Sequence, residues 1–174
     1  MAVLEILMNE HTLLRKKAKE VKKITPEIKA LCQDLLETMQ AAPGVGLAAN
    51  QIGVLRRVIV IELPEDEEEP LSGKPFFLIN PSIVKASGSQ IANEGCLSVP
   101  GYWAEVTRSL SVTAKGRDLQ GRQVRIKAKD DLLAQALEHE MDHINGVLYV
   151  DHLESLDELR KTVPESEEEA SAEL

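Results

Sequence analysis

Cysteine is scarce in this 174-residue chain, which has only Cys32 and Cys96. At most one bridge is available to them, and Cys32 falls in an apolar helical stripe, so a disulfide scaffold is excluded and a reducing compartment is expected. No run of about 18 apolar residues exists to span a bilayer as a helix, and the opening Met1–Leu7 has no basic stretch ahead of an apolar one. Neither anchor nor secretory signal is therefore expected, and the reading is a cytoplasmic protein. Aromatic residues make up only 3% of the chain, yet hydrophobic residues make up 43%, too many for a chain kept disordered by low hydrophobicity. A length of 174 residues is enough to bury a core.

An excess of positive charge is lacking as well: 20 Lys+Arg stand against 29 Asp+Glu, for a formal net charge of −9. Six of the acids lie in Glu62–Glu69 and five in the tail after Pro164, so the body of the chain is nearly neutral. Nucleic acid is not an expected partner on this balance, and the acidic loop and tail read as solvated surface without assigned function. There is no internal repeat and no linker. One domain over residues 1–163, followed by an acidic, disordered tail over 164–174, is expected.

What is present begins with helix signals. Thr25-Pro26-Glu27 offers an N-cap, a proline at the first helical position and an early acid, after which Ile28, Leu31, Cys32, Leu35, Leu36 and Met39 recur at helical spacing. This helix should stop near Pro43-Gly44. Val58–Ile61 and Phe76–Ile79 read as buried strands on either side of the acidic loop, with further strands at Ser109–Ala114 and Gln123–Ile126. Asp130-Asp131 then caps a second helix that carries Leu132, Leu133, Ala136, Leu137, Met141 and Ile144 and ends at Asn145-Gly146. A helix, several strands and a helix do not alternate as βαβ units, so an α+β domain with antiparallel sheet is favoured over a doubly wound parallel one.

The strongest chemical signal is His139-Glu140-Met141-Asp142-His143, which uses two of only four histidines. Four residues apart on a helix, both imidazoles lie on one face and can reach one metal ion. Two ordinary surface histidines are the bland alternative. The helical wheel argues against it: Glu140 falls inside the apolar arc of Leu133, Ala136, Leu137 and Ile144, while Glu138, Asp142 and Gln135 take the opposite face. A carboxylate aimed into an apolar arc is costly unless something cationic or polar meets it. A catalytic metal usually takes three protein ligands, so a third is needed from elsewhere. Cys96, in Glu94-Gly95-Cys96-Leu97-Ser98, is the best candidate, against the alternative of a small buried packing residue. A third segment, Gly44-Val45-Gly46-Leu47-Ala48-Ala49-Asn50-Gln51, allows close backbone approach and offers the uncharged amide of Gln51, or is merely a turn entering a strand.

Together the three segments resemble peptide deformylase, whose pattern is Gly-x-Gly-Leu-Ala-Ala-x-Gln, then Glu-Gly-Cys-Leu-Ser, then a helical His-Glu-x-x-His, in that order. The similarity runs from Ile6-Leu7 to about Leu153. The resemblance implies an α+β metallohydrolase with antiparallel sheets around a central C-terminal helix, which removes the formyl group from N-terminal formylmethionine of nascent chains and releases formate. It implies Cys96, His139 and His143 as ligands of one divalent ion, Fe²⁺ with Zn²⁺ or Ni²⁺ as alternatives, and attack by a metal-bound water. It further implies Glu140 as proton shuttle, Gln51 and the Leu97 N–H as oxyanion donors, backbone near Gly46 pairing with an extended peptide, and Val45 lining the methionine pocket. Formylmethionyl peptides, met at the ribosome, are the expected partners.

Glu94 is expected to orient the cysteine segment, with Arg108 as its partner. The chain departs from the family pattern at Glu138, commonly glutamine, and at Asn9-Glu10, where the family has Pro-Asp. Trp103 is a third oddity, either covering the substrate groove or packing in the core. Two rivals remain: a His-Glu-x-x-His zinc peptidase, which would normally take its third ligand downstream, and a binding module without turnover.

Overall fold

The computed structural model describes residues 2–66, 70–129 and 132–162. The expected tail at 164–174, the Asp130-Asp131 cap and Glu67, Glu68 and Glu69 of the acidic loop lie outside the described residues.

Helix α1 (Pro26–Ala41) begins at Thr25, whose extended backbone forms the N-cap without a side-chain capping bond, and ends just before Pro43. It buries Leu31, Cys32, Leu35 and Met39 along one face, the spacing read from the sequence. Strands β1 (Gly46–Ala48), β2 (Val58–Ile61), β3 (Phe76–Ser87), β4 (Gln90–Cys96), β5 (Val99–Arg108), β6 (Ser111–Arg117) and β7 (Gln123–Lys129) follow, then helix α2 (Leu132–Ile144) and the short β8 (Arg160–Lys161).

Two antiparallel sheets result. One has the order β1-β2-β3-β6-β7 and the other β4-β5-β8. β2 explains how the larger sheet is clamped, because all four of its residues are fully buried. Successive side chains of a strand point to opposite faces. Val58 and Val60 accordingly join Leu35, Met39 and Leu47 in the core under α1, while Ile59 and Ile61 join Leu133, Leu137 and Ile144 in the core under α2. Each fully buried aliphatic side chain contributes about 1.5–3 kcal/mol, so this strand is a principal fastener between the two helices.

β3 runs on eight residues past the expected Ile79, with irregular pairing at Ile79/Ser82 and Ile83/Lys85 that lets it pass Pro81. Asn80, at φ 52°, turns its amide onto Val21, accepting from the Val21 N–H at 2.8 Å and donating to its carbonyl at 2.9 Å. The smaller sheet is built on a β4–β5 hairpin in register from Gln90↔Arg108 to Gly95↔Trp103, closing at Cys96↔Val99 around Leu97-Ser98. α2 touches β1, β2, β3, β6 and β7 of one sheet and β5 of the other. Gly146, at φ 80°, ends it; a Cβ there would sit 2.6 Å from the Arg15 carbonyl oxygen. No helix among the described residues is long and apolar enough to cross a membrane.

Candidate metal centre

α2 presents His139 and His143 one turn apart, and the end of β4 brings Cys96 against them. The Cys96 Sγ lies 3.3 Å from His143 Nε2, which lies 3.1 Å from His139 Nε2. These three donor atoms all fall within 4.8 Å of one another and form the one such His/Cys/acid group among the described residues. Ligand atoms set tetrahedrally at about 2.0–2.3 Å from a divalent ion are about 3.3–3.6 Å apart, so the cluster fits such an ion with little adjustment. Two ring nitrogens facing each other at 3.1 Å also require a shared cation or proton between them. Cys96 and His139 border a cleft of about 780 Å³ that Val45, Gly46, Gln51 and Glu140 also line.

His139 is held from behind. Its Nδ1–H donates to Glu94 Oε2 at 2.8 Å, and Arg108 grips both Glu94 oxygens at 2.6 and 2.9 Å. Arg108 also donates to Asp142 Oδ2 at 2.7 Å, an oxygen shared with His152 Nε2 at 2.7 Å. Burial opposes charge on Glu94, but the hydrogen bonds from Arg108 and His139 outweigh it and hold the carboxyl down at about 2. Burial likewise lowers proton affinity at both histidines. At His143 the charge on His139 adds to it and holds the ring well below its usual value, whereas at His139 Cys96 and Glu94 reverse it and hold the ring well above. The structure thus pairs Glu94 with Arg108, the partner named from the sequence. His143 is fixed differently: Asn50 Nδ2 donates to its backbone carbonyl, and its Nδ1 has no partner among the described residues.

Glu140 turns into the apolar interior, as the wheel requires, and is 3% exposed. Its Oε2 lacks a hydrogen-bond partner among the described residues, and burial pushes the carboxyl up to about 7. Gln51 is oriented unambiguously. Its Oε1 accepts from the Ala48 N–H at 2.9 Å, which leaves Nε2 facing Ser98 Oγ at 3.1 Å and Cys96 Sγ at 3.7 Å. Leu97 lies in the hairpin turn and lines the cleft. Glu138 does point away from the ligands and accepts from both the N–H and the hydroxyl of Ser109 at 2.8 Å. Trp103 does not line the cleft; it lies in β5 beneath the Arg160 guanidinium, 4.9 Å from its ring centroid.

Three contacts around the donors have no signal in the sequence reading. The Ser98 N–H donates to Cys96 Sγ at 3.4 Å, Asp142 anchors Arg108, and Tyr149 stacks on His139. Asp142 stands inside the histidine motif, where the wheel gives it only an outer face; Tyr149, one of two tyrosines, is signalled at most by its closeness to that motif.

Two imidazoles and a thiol with a buried carboxyl beside them are a donor set suited to the metal-dependent hydrolases, here carried on an α+β frame. The profile of the polypeptide deformylase family matches residues 3–159. The chain is 49% identical over 173 residues to the peptide deformylase of Thermomicrobium roseum, covering 99% of this chain and 98% of that one. Its fold matches the crystal structure of peptide deformylase from Ehrlichia chaffeensis in complex with actinonin at a TM-score of 0.85 and 39% identity, over 91% and 92% of the two chains. It also matches the Met-Ala-Ser-bound class I type b peptide deformylase from Acinetobacter baumannii at 0.81 and 29%, over 87% and 99%. The chain belongs to the polypeptide deformylase family.

Proposed function

We propose that Cys96, His139 and His143 hold one divalent ion, ferrous in the working protein with Zn²⁺ or Ni²⁺ able to replace it, and that this centre removes the formyl group from formylmethionine at the start of nascent chains. The observation that carries the reading is Glu140, buried and without a partner at Oε2, beside a three-donor cluster and on the wall of the same cleft. A divalent ion bound there supplies Lewis acidity and brings the pKa of a bound water down to about 7. Glu140, pushed up to about 7 by burial, is matched to taking a proton and returning it near neutral pH.

In the reaction the oxygen of water bonds to the formyl carbon while Glu140 takes its proton and the carbonyl oxygen becomes negative; the C–N bond then breaks, the amine nitrogen gains the proton Glu140 has carried, and formate leaves. The Gln51 Nε2–H and the Leu97 N–H donate to the oxygen that becomes negative at the tetrahedral stage; each such donor is typically worth about 10²–10³ in rate. β1 stands at the edge of its sheet, paired only with β2 among the described residues. Its free side at Gly46 is suited to an extended peptide, held by main-chain bonds that tolerate many sequences, with Val45 lining the pocket for the methionine side chain. The Met-Ala-Ser bound by the Acinetobacter baumannii relative is a peptide of this kind. Residues 1–163 act as one catalytic domain, with the tail at 164–174 outside it, working in the cytoplasm where nascent chains leave the ribosome.

The test is formate release from formyl-Met-Ala-Ser by protein loaded with iron without oxygen, beside Glu140→Gln. Turnover by the parent and none by the variant, each with one bound metal, is the expected result. Formate from the variant would remove Glu140 from the mechanism, and a metal-loaded parent that released none would reject the activity.

A further inference from the structure

We infer that Tyr149 is a positioning residue of the metal centre, its ring setting the plane of His139 and its hydroxyl holding the lip of the cleft. The inference rests on the reading of His139 as a ligand.

The Glu94 hydrogen bond restrains His139 along one direction in the ring plane. A single in-plane bond leaves the imidazole free to rock about that direction, which would swing Nε2 off the ion. The His143 ring meets the imidazole edge-on at 4.9 Å between centroids, and a further restraint can come from the ring face. Tyr149 supplies it: the two ring centroids are 6.3 Å apart and the planes 27° apart, within the range of stacked aromatic pairs. Tyr149 is 1% exposed and packs with Val99, Ala104 and Val106 in a small core against which Cys96 also rests. The ring therefore stacks on one donor, His139 from α2, and belongs to the small core against which a second, Cys96 from β4, rests.

Tyr149 is itself anchored. It opens the 3₁₀ turn Tyr149–His152, whose Asp151 accepts from the Leu148 N–H at 2.9 Å and pairs with Arg15. Its hydroxyl donates to the Tyr102 carbonyl at 3.3 Å. Tyr102 and Gly101 line the cleft, and Gly101 is tied to Thr162 by a 3.0 Å backbone bond. Ring and hydroxyl thus act on different things, the ring on the donors and the hydroxyl on the strand that borders the substrate, and substitution can separate them.

Tyr149→Phe and Tyr149→Leu are compared with the parent by cobalt titration of the metal-free proteins, with the visible Co²⁺ bands reporting ligand geometry. KM and kcat for formyl-Met-Ala-Ser and metal-free melting accompany the titration. The Phe variant should keep the parental spectrum and cobalt affinity, with KM raised about fivefold for one lost hydrogen bond and kcat unchanged. The Leu variant should bind cobalt about 10–100-fold more weakly, with shifted bands, the loss usual when a residue supporting a ligand is removed. A folded Leu variant with parental cobalt binding would overturn the inference, as would a Phe variant that loses cobalt affinity. If the Tyr149→Leu protein does not melt cooperatively, the Phe variant decides alone: parental cobalt binding with raised KM supports the inference, and unchanged KM overturns its hydroxyl half. A parent that binds no cobalt would overturn the ligand reading and this inference together.

Discussion

Replacing Gly46 by alanine tests the seating of Glu140 through a single methyl group. A Cβ at position 46 would lie 2.9 Å from Glu140 Cδ and 3.0 Å from Cγ, with Oε1 nearer still. Carbon atoms in ordinary contact are about 3.5–4.0 Å apart, so the overlap is about 0.5–1 Å. β1 cannot retreat to relieve it. Gly46 is paired with Ile61, and Leu47, Ala48 and every residue of β2 behind them are fully buried. The Glu140 side chain has to move instead, by about the overlap.

A displacement of about 1 Å in a reacting group costs about 10²-fold in rate. That corresponds to about 2.7 kcal/mol of barrier. Overpacking should in addition lower stability by about 1–3 kcal/mol. None of the three donor atoms is touched. Gly46→Ala is therefore expected to bind one equivalent of metal with parental affinity, unfold at lower urea and release formate about 100-fold more slowly. Combining it with Glu140→Asp, whose shorter side chain clears the methyl group, should give a rate no lower than Glu140→Asp alone. Parental kcat in a metal-replete Gly46→Ala protein would refute the argument.

The two cysteines should differ sharply in reactivity. Burial pushes the Cys32 thiol up to about 12, so in the folded, metal-free protein at about pH 8 Ellman's reagent should titrate Cys96 alone, zinc should protect it, and both should react in denaturant; rapid labelling lost in Cys32→Ser would contradict this. Glu94→Gln leaves the buried Arg108 with one carboxylate where it had two. Removing one partner of a buried ion pair costs about 3–5 kcal/mol, so urea unfolding of the metal-free variant should fall by about that amount, and an unchanged midpoint would refute it.

The readable and unreadable parts of the chain divide along what their buried faces are made of. α1, β2 and α2 bury aliphatic side chains at the spacing of their own geometry, and each appears within about two residues of its expected ends. β4 escapes a sequence reading because its pattern is inverted: Ile91 is 65% exposed, while the inward positions are Ala92 and Glu94. The acid can face inward only because Arg108 on the neighbouring strand and His139 on α2 meet it, and of these His139 lies far away in the chain. β5 is hidden by Pro100 and Gly101 at its start, ordinarily signs of a turn. The donors themselves are legible through their motifs, whereas Tyr149 and the Asp142–Arg108 contact arise from docking of segments that local sequence does not record. The acidic segment around position 65 remains without a role.

The donor set has a consequence for how the protein matures. Cys96 is 47 residues from His143, on a strand of the smaller sheet, while both histidines ride on α2. Until that hairpin seats against the helix, the chain offers an ion only a histidine pair one turn apart. If Cys96, His139 and His143 share an ion as proposed, all three donors become available together only once the two sheets have closed around α2. A ligand that binds only the closed form stabilises it by about 4 kcal/mol when present at about 1,000 times its Kd.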